Sequence, residues 1–268
     1  MKKILLCLIT AALVWACQPK QNEQSKSISC NNKTIKQSAP IDCDTIGTNE
    51  QGSDQFVVLT EVIPDAILEI RYYSTYNFTG RRIPGYEQPV ALLTRQAADS
   101  LKAVSDDLLK QGYRLKIFDT YRPQCAVDYF VEWANDLDDT LMKQYFYPEL
   151  TKNILFPQGY IASRSSHSRG STVDLTLFDM TLQKEVDMGC TFDYFGVASH
   201  PNIQPGQTVG TYTPINKSQY ENRMILRRAM LRHGFKPYDC EWWHFTLKKE
   251  PFPHTYFSFP VNVNSVPQ

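Results

Sequence analysis

The sequence predicts a single α+β domain with a mainly antiparallel central sheet and helices packed around it. Two long amphipathic patterns read as helices, four short β-rich runs lie well apart from one another, and no internal repeat is evident. After a polar leader, about 210 residues remain, enough for one sizeable core.

In chain order, Lys2-Lys3 precede an apolar run from Ile4 to Trp15. That run is shorter than the ~20 residues that span a bilayer and suits a secretory signal. It ends in Val14-Trp15-Ala16-Cys17, a small residue before a cysteine as at a bacterial lipoprotein cleavage site. Residues 1–16 are therefore expected to be removed and Cys17 to carry lipid, anchoring an exported protein to a membrane and facing the periplasm or cell exterior; the alternative is an ordinary signal peptide with a soluble product. From Gln18 to Asp54 there is no aromatic residue, and Gln, Asn, Ser, Lys and Thr dominate. Residues 17–54 thus read as a polar tether, with a mean reach on the order of 35 Å, and residues 55–268 as the folded domain.

Within the domain, strands are expected near Val57–Leu59, Arg114–Phe118, Val173–Leu177 and Trp242–Leu247. A helix is expected from Thr94 to Gln111, its stripe formed by Ala97, Ala98, Leu101, Val104, Leu108 and Leu109, and stopped by Gly112. Another runs from Ala126 to Ala134, and a third from Ser218 to His233, with Ile225, Leu226, Ala229, Met230 and Leu231 apolar and Gly234 beyond. Twenty-eight basic residues balance 28 acidic ones and form no basic stripe, which argues against nucleic acid as a partner. Beyond the leader the cysteines are Cys30, Cys43, Cys125, Cys190 and Cys240; some can pair in an exported protein, but sequence does not set the connectivity.

Two segments carry chemistry. Ser-Ser-His-Ser-Arg-Gly-Ser-Thr-Val-Asp supplies His167 and Asp174, and Glu-Trp-Trp-His supplies Glu241 and His244. A hydrolytic zinc takes three protein ligands, leaves a position for water and needs a nearby carboxylate base. His167, Asp174 and His244 fit the ligands, Glu241 the base. Val173 to Leu177 alternates as a half-buried strand does, so Asp174 and Thr176 share a face, while Gly170 implies an irregular loop carrying His167. A regular strand would set Glu241 and His244 on opposite faces, so Glu241 is expected at the strand's entry or on a bulge. Taken singly, His244 reads as an ordinary strand residue and Trp242 and Trp243 as core. The pair of segments says more, because His200, His233 and His254 have no comparable setting. Cys190 and Cys240 lie near site residues but show no Cys-x-x-Cys spacing, and neither is expected to ligate.

Lys116 to Thr120 reads as a strand running into Tyr121-Arg122-Pro123, where Pro123 biases Arg122 toward an extended conformation. A fixed guanidinium fork suits an oxyanion, though alone Arg122 reads as a surface residue. Asp193, between Phe192 and Tyr194, reads equally as a turn cap.

With Arg71-Tyr72, Asn77-Phe78-Thr79-Gly80, Gly85-Tyr86-Glu87, Tyr121-Arg122-Pro123, the Ser165-to-Asp174 stretch, Met188-Gly189, Phe192-Asp193 and Glu241-Trp242-Trp243-His244, the chain resembles the VanX-type D-alanyl-D-alanine dipeptidases from about Ile67 to Pro260. These are zinc enzymes of the D-Ala-D-Ala metallopeptidase group. The resemblance implies one Zn2+ per chain on His167, Asp174 and His244, Glu241 as general base, Arg122 at the oxyanion, and a D,D-dipeptide held by Tyr72, Ser165 and Asp193, the last through the ammonium group. The family more often reads Asp-Gly-Tyr-Arg-Pro where this chain has Thr120, which leaves the Arg in place. The expected activity is hydrolysis of D-Ala-D-Ala to two D-alanines, in wall-peptide turnover or D-Ala salvage, since an exported enzyme does not reach a cytosolic dipeptide pool. No obligate protein partner is expected. The rival readings are an exported D,D- or L,D-carboxypeptidase acting on stem peptides and a non-catalytic peptide-binding lipoprotein with structural zinc. The latter sits poorly with a three-ligand set beside a spare carboxylate.

Overall fold

The computed structural model describes residues 52–208 and 210–267; the leader, Cys17, Cys30, Cys43 and the tether as far as residue 51 lie outside them. Eight strands occur in the order β1 (Phe56–Val58), β2 (Ile67–Leu68), β3 (Leu92–Thr94), β4 (Tyr113–Asp119), β5 (Thr172–Asp179), β6 (Lys184–Glu185), β7 (Phe235–Tyr238) and β8 (Glu241–Leu247). The helices are α1 (Leu59–Val62), α2 (Arg95–Leu109), α3 (Gln124–Asn135), α4 (Lys143–Phe146) and α5 (Lys217–Arg232). The domain is α+β as expected: β1 and β3 pair separately, while the main sheet runs β2-β4-β5-β8-β7 with β6 on β5. Only the β2–β4 pairing in that sheet is parallel.

Local chemistry accounts for the long helices. Ala97, Ala98, Leu101, Val104 and Leu108 are buried along α2, at the helical spacing, and Gly112 beyond it adopts φ 85°, where a side chain would be strained. Helix α5 opens with a reciprocal cap: the Gln219 amide donates to Asn216 Oδ1 (2.9 Å) and the Asn216 amide to Gln219 Oε1 (2.8 Å). Its buried stripe is Arg223, Leu226, Ala229 and Met230, whereas Leu231, expected among the apolar positions, is 38% exposed because it lies off that stripe. The core is strongly aromatic: Phe78, Phe130, Trp133 and Phe195 pack ring to ring, and Trp243 is fully buried.

One expectation about β5 changes. Val173, Leu175 and Leu177 are buried, but so are Thr172, Asp174 and Thr176 on the other face. The strand is central rather than half-buried, since the segments carrying His167 and Arg122 cover the polar face. Among the described residues, no helix is long and apolar enough to cross a membrane.

Candidate metal centre and active site

The site is a row across the sheet. Asp119 on β4 pairs with Asp174 on β5, which pairs with His244 on β8. The β4–β5 register shifts between Ile117 and Asp119, and this irregularity at Phe118 brings the Asp119 carboxylate opposite Asp174. His167 joins the row from a 3-10 turn over Ser166–Arg169, which Ser165 caps by accepting from the His167 amide (3.2 Å). Gly170 ends the turn at φ 76°, and a Cβ there would overlap the Phe56 ring.

Three ligand atoms converge. His167 Nε2 lies 3.2 Å from His244 Nδ1 and 3.2 Å from Asp174 Oδ2, and His244 Nδ1 lies 3.0 Å from Asp174 Oδ1. Donors ~2.0–2.1 Å from a tetrahedral ion stand about 3.3 Å apart, so the triangle has the size a small dication needs. Its orientation is fixed from behind. His167 Nδ1 donates to the Thr120 carbonyl (2.6 Å), which leaves the Nε2 lone pair facing inward, and His244 Nε2 meets Ser166 Oγ at 3.2 Å, turning Nδ1 inward. Asp174 Oδ1 is buried with no hydrogen-bond partner, an oxygen left for something absent from the polypeptide. Burial works against ionisation of Asp174, but His167 and His244 hold its carboxyl well below the usual range. Burial lowers the His167 pKa despite Asp174, favouring the neutral, ligating imidazole.

Glu241 stands beside this triad without belonging to it, its Oε2 3.4 Å from His244 Nδ1. It is the first residue of β8, and the β7–β8 pairing jumps from Pro237↔Phe245 to Tyr238↔Glu241. The three residues Trp242 to His244 are looped out of that ladder, which brings Glu241 and His244 to the same side. Burial, with the Asp174 charge adding to it, pushes Glu241 up to about 7.

Arg122 is largely covered, its side chain 12% exposed, rather than a free surface residue. Its Nε donates to Asp119 Oδ2 at 3.0 Å, its Nη2 lies 2.9 Å from the same oxygen and 3.7 Å from Asp174 Oδ2, and its guanidinium lies over the Tyr72 and Phe130 rings. Asp119, in turn, accepts from Tyr86 OH at 2.7 Å. At the same end of the cleft Tyr72 OH shares its proton between the two oxygens of Asp193, at 3.0 and 3.2 Å. Asp193 is 5% exposed and, among the described residues, one of two non-glycine residues with positive φ, at 61°. Such strain concentrates at functional sites. Burial, with Asp174 adding to it, raises the Asp193 pKa well above the carboxylate range. The segment bearing Asp193 is pinned by buried Arg223, which donates to the carbonyls of Met188 (2.6 Å), Ala198 (3.0 Å) and His200 (3.3 Å).

All eight residues singled out in the sequence line one cavity of about 340 Å³. Cys190 and Cys240 do not line it: Cys190 takes the Trp242 indole N–H (3.3 Å) and faces Arg223. Asp119, Tyr86 and Arg223 were not singled out. Asp119 carries a sequence signal, standing three residues before Arg122 at the end of a strand, whereas Arg223 looks like any helix-surface arginine until the chain is folded.

Two imidazoles and a carboxylate held by two paired strands and a turn, with a further carboxylate beside them in one cleft, define a metal-dependent hydrolase. The sequence model of peptidase family M15, described as D-ala-D-ala dipeptidase, matches residues 52–262. The chain is similar to D-alanyl-D-alanine dipeptidases of Enterococcus faecalis (38% identical, covering 77% of this chain and 98% of that protein) and Streptomyces coelicolor (35%, 77% and 98%). It is also similar to the one of Escherichia coli (32%, 72% and 84%). The chain belongs to the D-Ala-D-Ala dipeptidase family of peptidases.

Proposed function

We propose that this chain is a zinc-dependent D-alanyl-D-alanine dipeptidase, exported and tethered through a lipidated Cys17, that acts in peptidoglycan turnover or recovery of D-alanine. One observation carries the reading: the His167–Asp174–His244 triad, Glu241 and the Asp193–Tyr72 pair all line one cavity. Two nitrogens and one carboxylate favour zinc with an open position. When bound, zinc would polarise the scissile carbonyl and acidify the attacking water. Glu241, 3.4 Å from His244 Nδ1 and outside the ligand set, takes the proton from that water and delivers it to the leaving amine. Arg122, clamped by Asp119 and stacked on two rings, meets the oxyanion without having to reorganise. Asp193 and Tyr72 receive the substrate ammonium, and Ser165 lines the same cavity.

Export is supported by the leader and by Cys125, which is disulfide-bonded, a state suited to an oxidising compartment. The test compares D-Ala-D-Ala with its N-acetyl derivative on purified protein, before and after chelation and zinc readdition. Zinc-restored cleavage of the free dipeptide, with rejection of the acetylated one, supports the reading. Equal cleavage of both would replace it with the carboxypeptidase.

A further inference from the structure

The cleft is polarised along the sheet. Tyr72, Asp193 and Arg122 gather at its β4 side, Asp174 and His244 of the metal triad stand on β5 and β8, and β7 forms the edge beyond. On that edge Lys236 pairs directly with Thr246, so the two side chains share a face. Thr246 lines the cavity, and its Oγ1 reaches Ser166 Oγ (3.5 Å), which meets His244. Lys236 also lines the cavity.

Most cations of the cavity wall are committed elsewhere. Arg122 is bound to Asp119, Arg169 makes a two-pronged pair with Glu250 (2.7 and 2.8 Å), and Arg164 stacks on Tyr256. Among the described residues, Lys236 has no ion pair or side-chain hydrogen bond of its own, and it is exposed at the mouth. A dipeptide zwitterion with its ammonium at Asp193 and its scissile carbonyl at the triad directs its C-terminal carboxylate toward β7. We infer that Lys236 is a specificity-determining residue that receives this carboxylate, selecting dipeptides whose C-terminus is a free acid. The inference rests on the dipeptidase reading and adds the recognition of the second end of the substrate.

The experiment measures kcat/KM for D-Ala-D-Ala and for D-alanyl-D-alaninamide, which lacks the terminal charge, in wild type, Lys236→Gln, Lys236→Glu and Lys236→Arg. An ion pair at a wet rim is screened, so Lys236→Gln should raise KM for the acid about fivefold, the scale of an exposed pair. Lys236→Glu should raise it further, and Lys236→Arg should restore it. The preference of wild type for acid over amide should shrink in Lys236→Gln, and added salt should erode that preference in wild type alone. An acid-over-amide preference unchanged in both Lys236→Gln and Lys236→Glu overturns the inference while leaving the dipeptidase reading standing. Absence of any dipeptide hydrolysis by metal-loaded wild type overturns both.

Discussion

Asp174 and His244 face each other directly across the β5–β8 ladder, with Asp174 Oδ1 3.0 Å from His244 Nδ1. Two neighbouring strands thus fix a carboxylate and an imidazole at ligand spacing by backbone pairing alone, and only His167 must be brought in by a turn. A site built on paired strands is held more tightly than one assembled from loops.

Arg122→Lys is not a conservative change. A lysine cannot hold Asp119 as the guanidinium does through Nε and Nη2 and still present a fixed donor to the substrate. Turnover should fall about 10²-fold, the scale of losing one oxyanion donor, with metal content unchanged. Asp119→Asn should reproduce part of that loss, because it weakens the clamp without touching the substrate. Near-normal steady-state turnover by the lysine variant would show that Arg122 plays no part at the oxyanion.

The long helices, strands β1, β4, β5 and β8, and the residues around the triad are legible in sequence because each rests on local patterning or a short motif, whereas the edge strand β7 is not. The i, i+3 placement of Glu241 and His244 was legible as a conflict with regular strand geometry, and the looped-out residues Trp242 to His244 resolve it. Three features were not legible. The burial of β5 on both faces depends on what covers it, and the Tyr86–Asp119 and Arg223–Met188 bonds join residues 33 and 35 positions apart. Nor does sequence show that Arg122 is largely covered, since Asp174 and the Tyr72 and Phe130 rings reach it only in the folded chain.

Asp193→Asn should leave the fold intact, because asparagine tolerates the left-handed conformation that Asp193 adopts at φ 61°. What it removes is the ability of that buried carboxyl to give up its proton and take a negative charge when a substrate ammonium is beside it. A hydrogen bond to a charged group is worth about 1.5–3 kcal/mol, so KM for a free dipeptide should rise about 10- to 100-fold. Discrimination against the N-acetyl dipeptide should shrink with it. Thermal melts verify the fold, and steady-state kinetics the rest. A wild-type preference kept intact in the variant would move ammonium recognition to Tyr72 and Ser165.

Asp107 ties α2 to the end of α5: His233 Nε2 meets its Oδ2 at 2.7 Å and Arg232 Nη1 at 3.0 Å. Hydrogen bonds from His233 and then Arg232 hold its pKa down at about 2 against an ordinary 3.8. A depressed carboxylate contributes stability above its unfolded pKa and loses it as pH falls toward the folded one. The gap in Tm between wild type and Asp107→Asn should therefore be present at pH 5 and close between about pH 4 and pH 2. A gap that persists at pH 2 would mean that charge is not its origin.

Changing Cys17 to Ser should release the protein from membranes into the soluble fraction with its activity intact, since the polar stretch separates the expected anchor from the domain. Fractionation with an assay of each fraction checks this. Retention of the variant on membranes would remove the lipid anchor from the reading.

The central claim is the division of labour between the triad and Glu241, and metal content measured alongside turnover tests it most directly. Wild type and Glu241→Gln should each hold one zinc per chain, with the variant inactive, while His244→Ala should lose both metal and activity because two ligands are left to hold the ion. Loss of zinc from Glu241→Gln in step with its activity would contradict the claim and make Glu241 a ligand rather than the base.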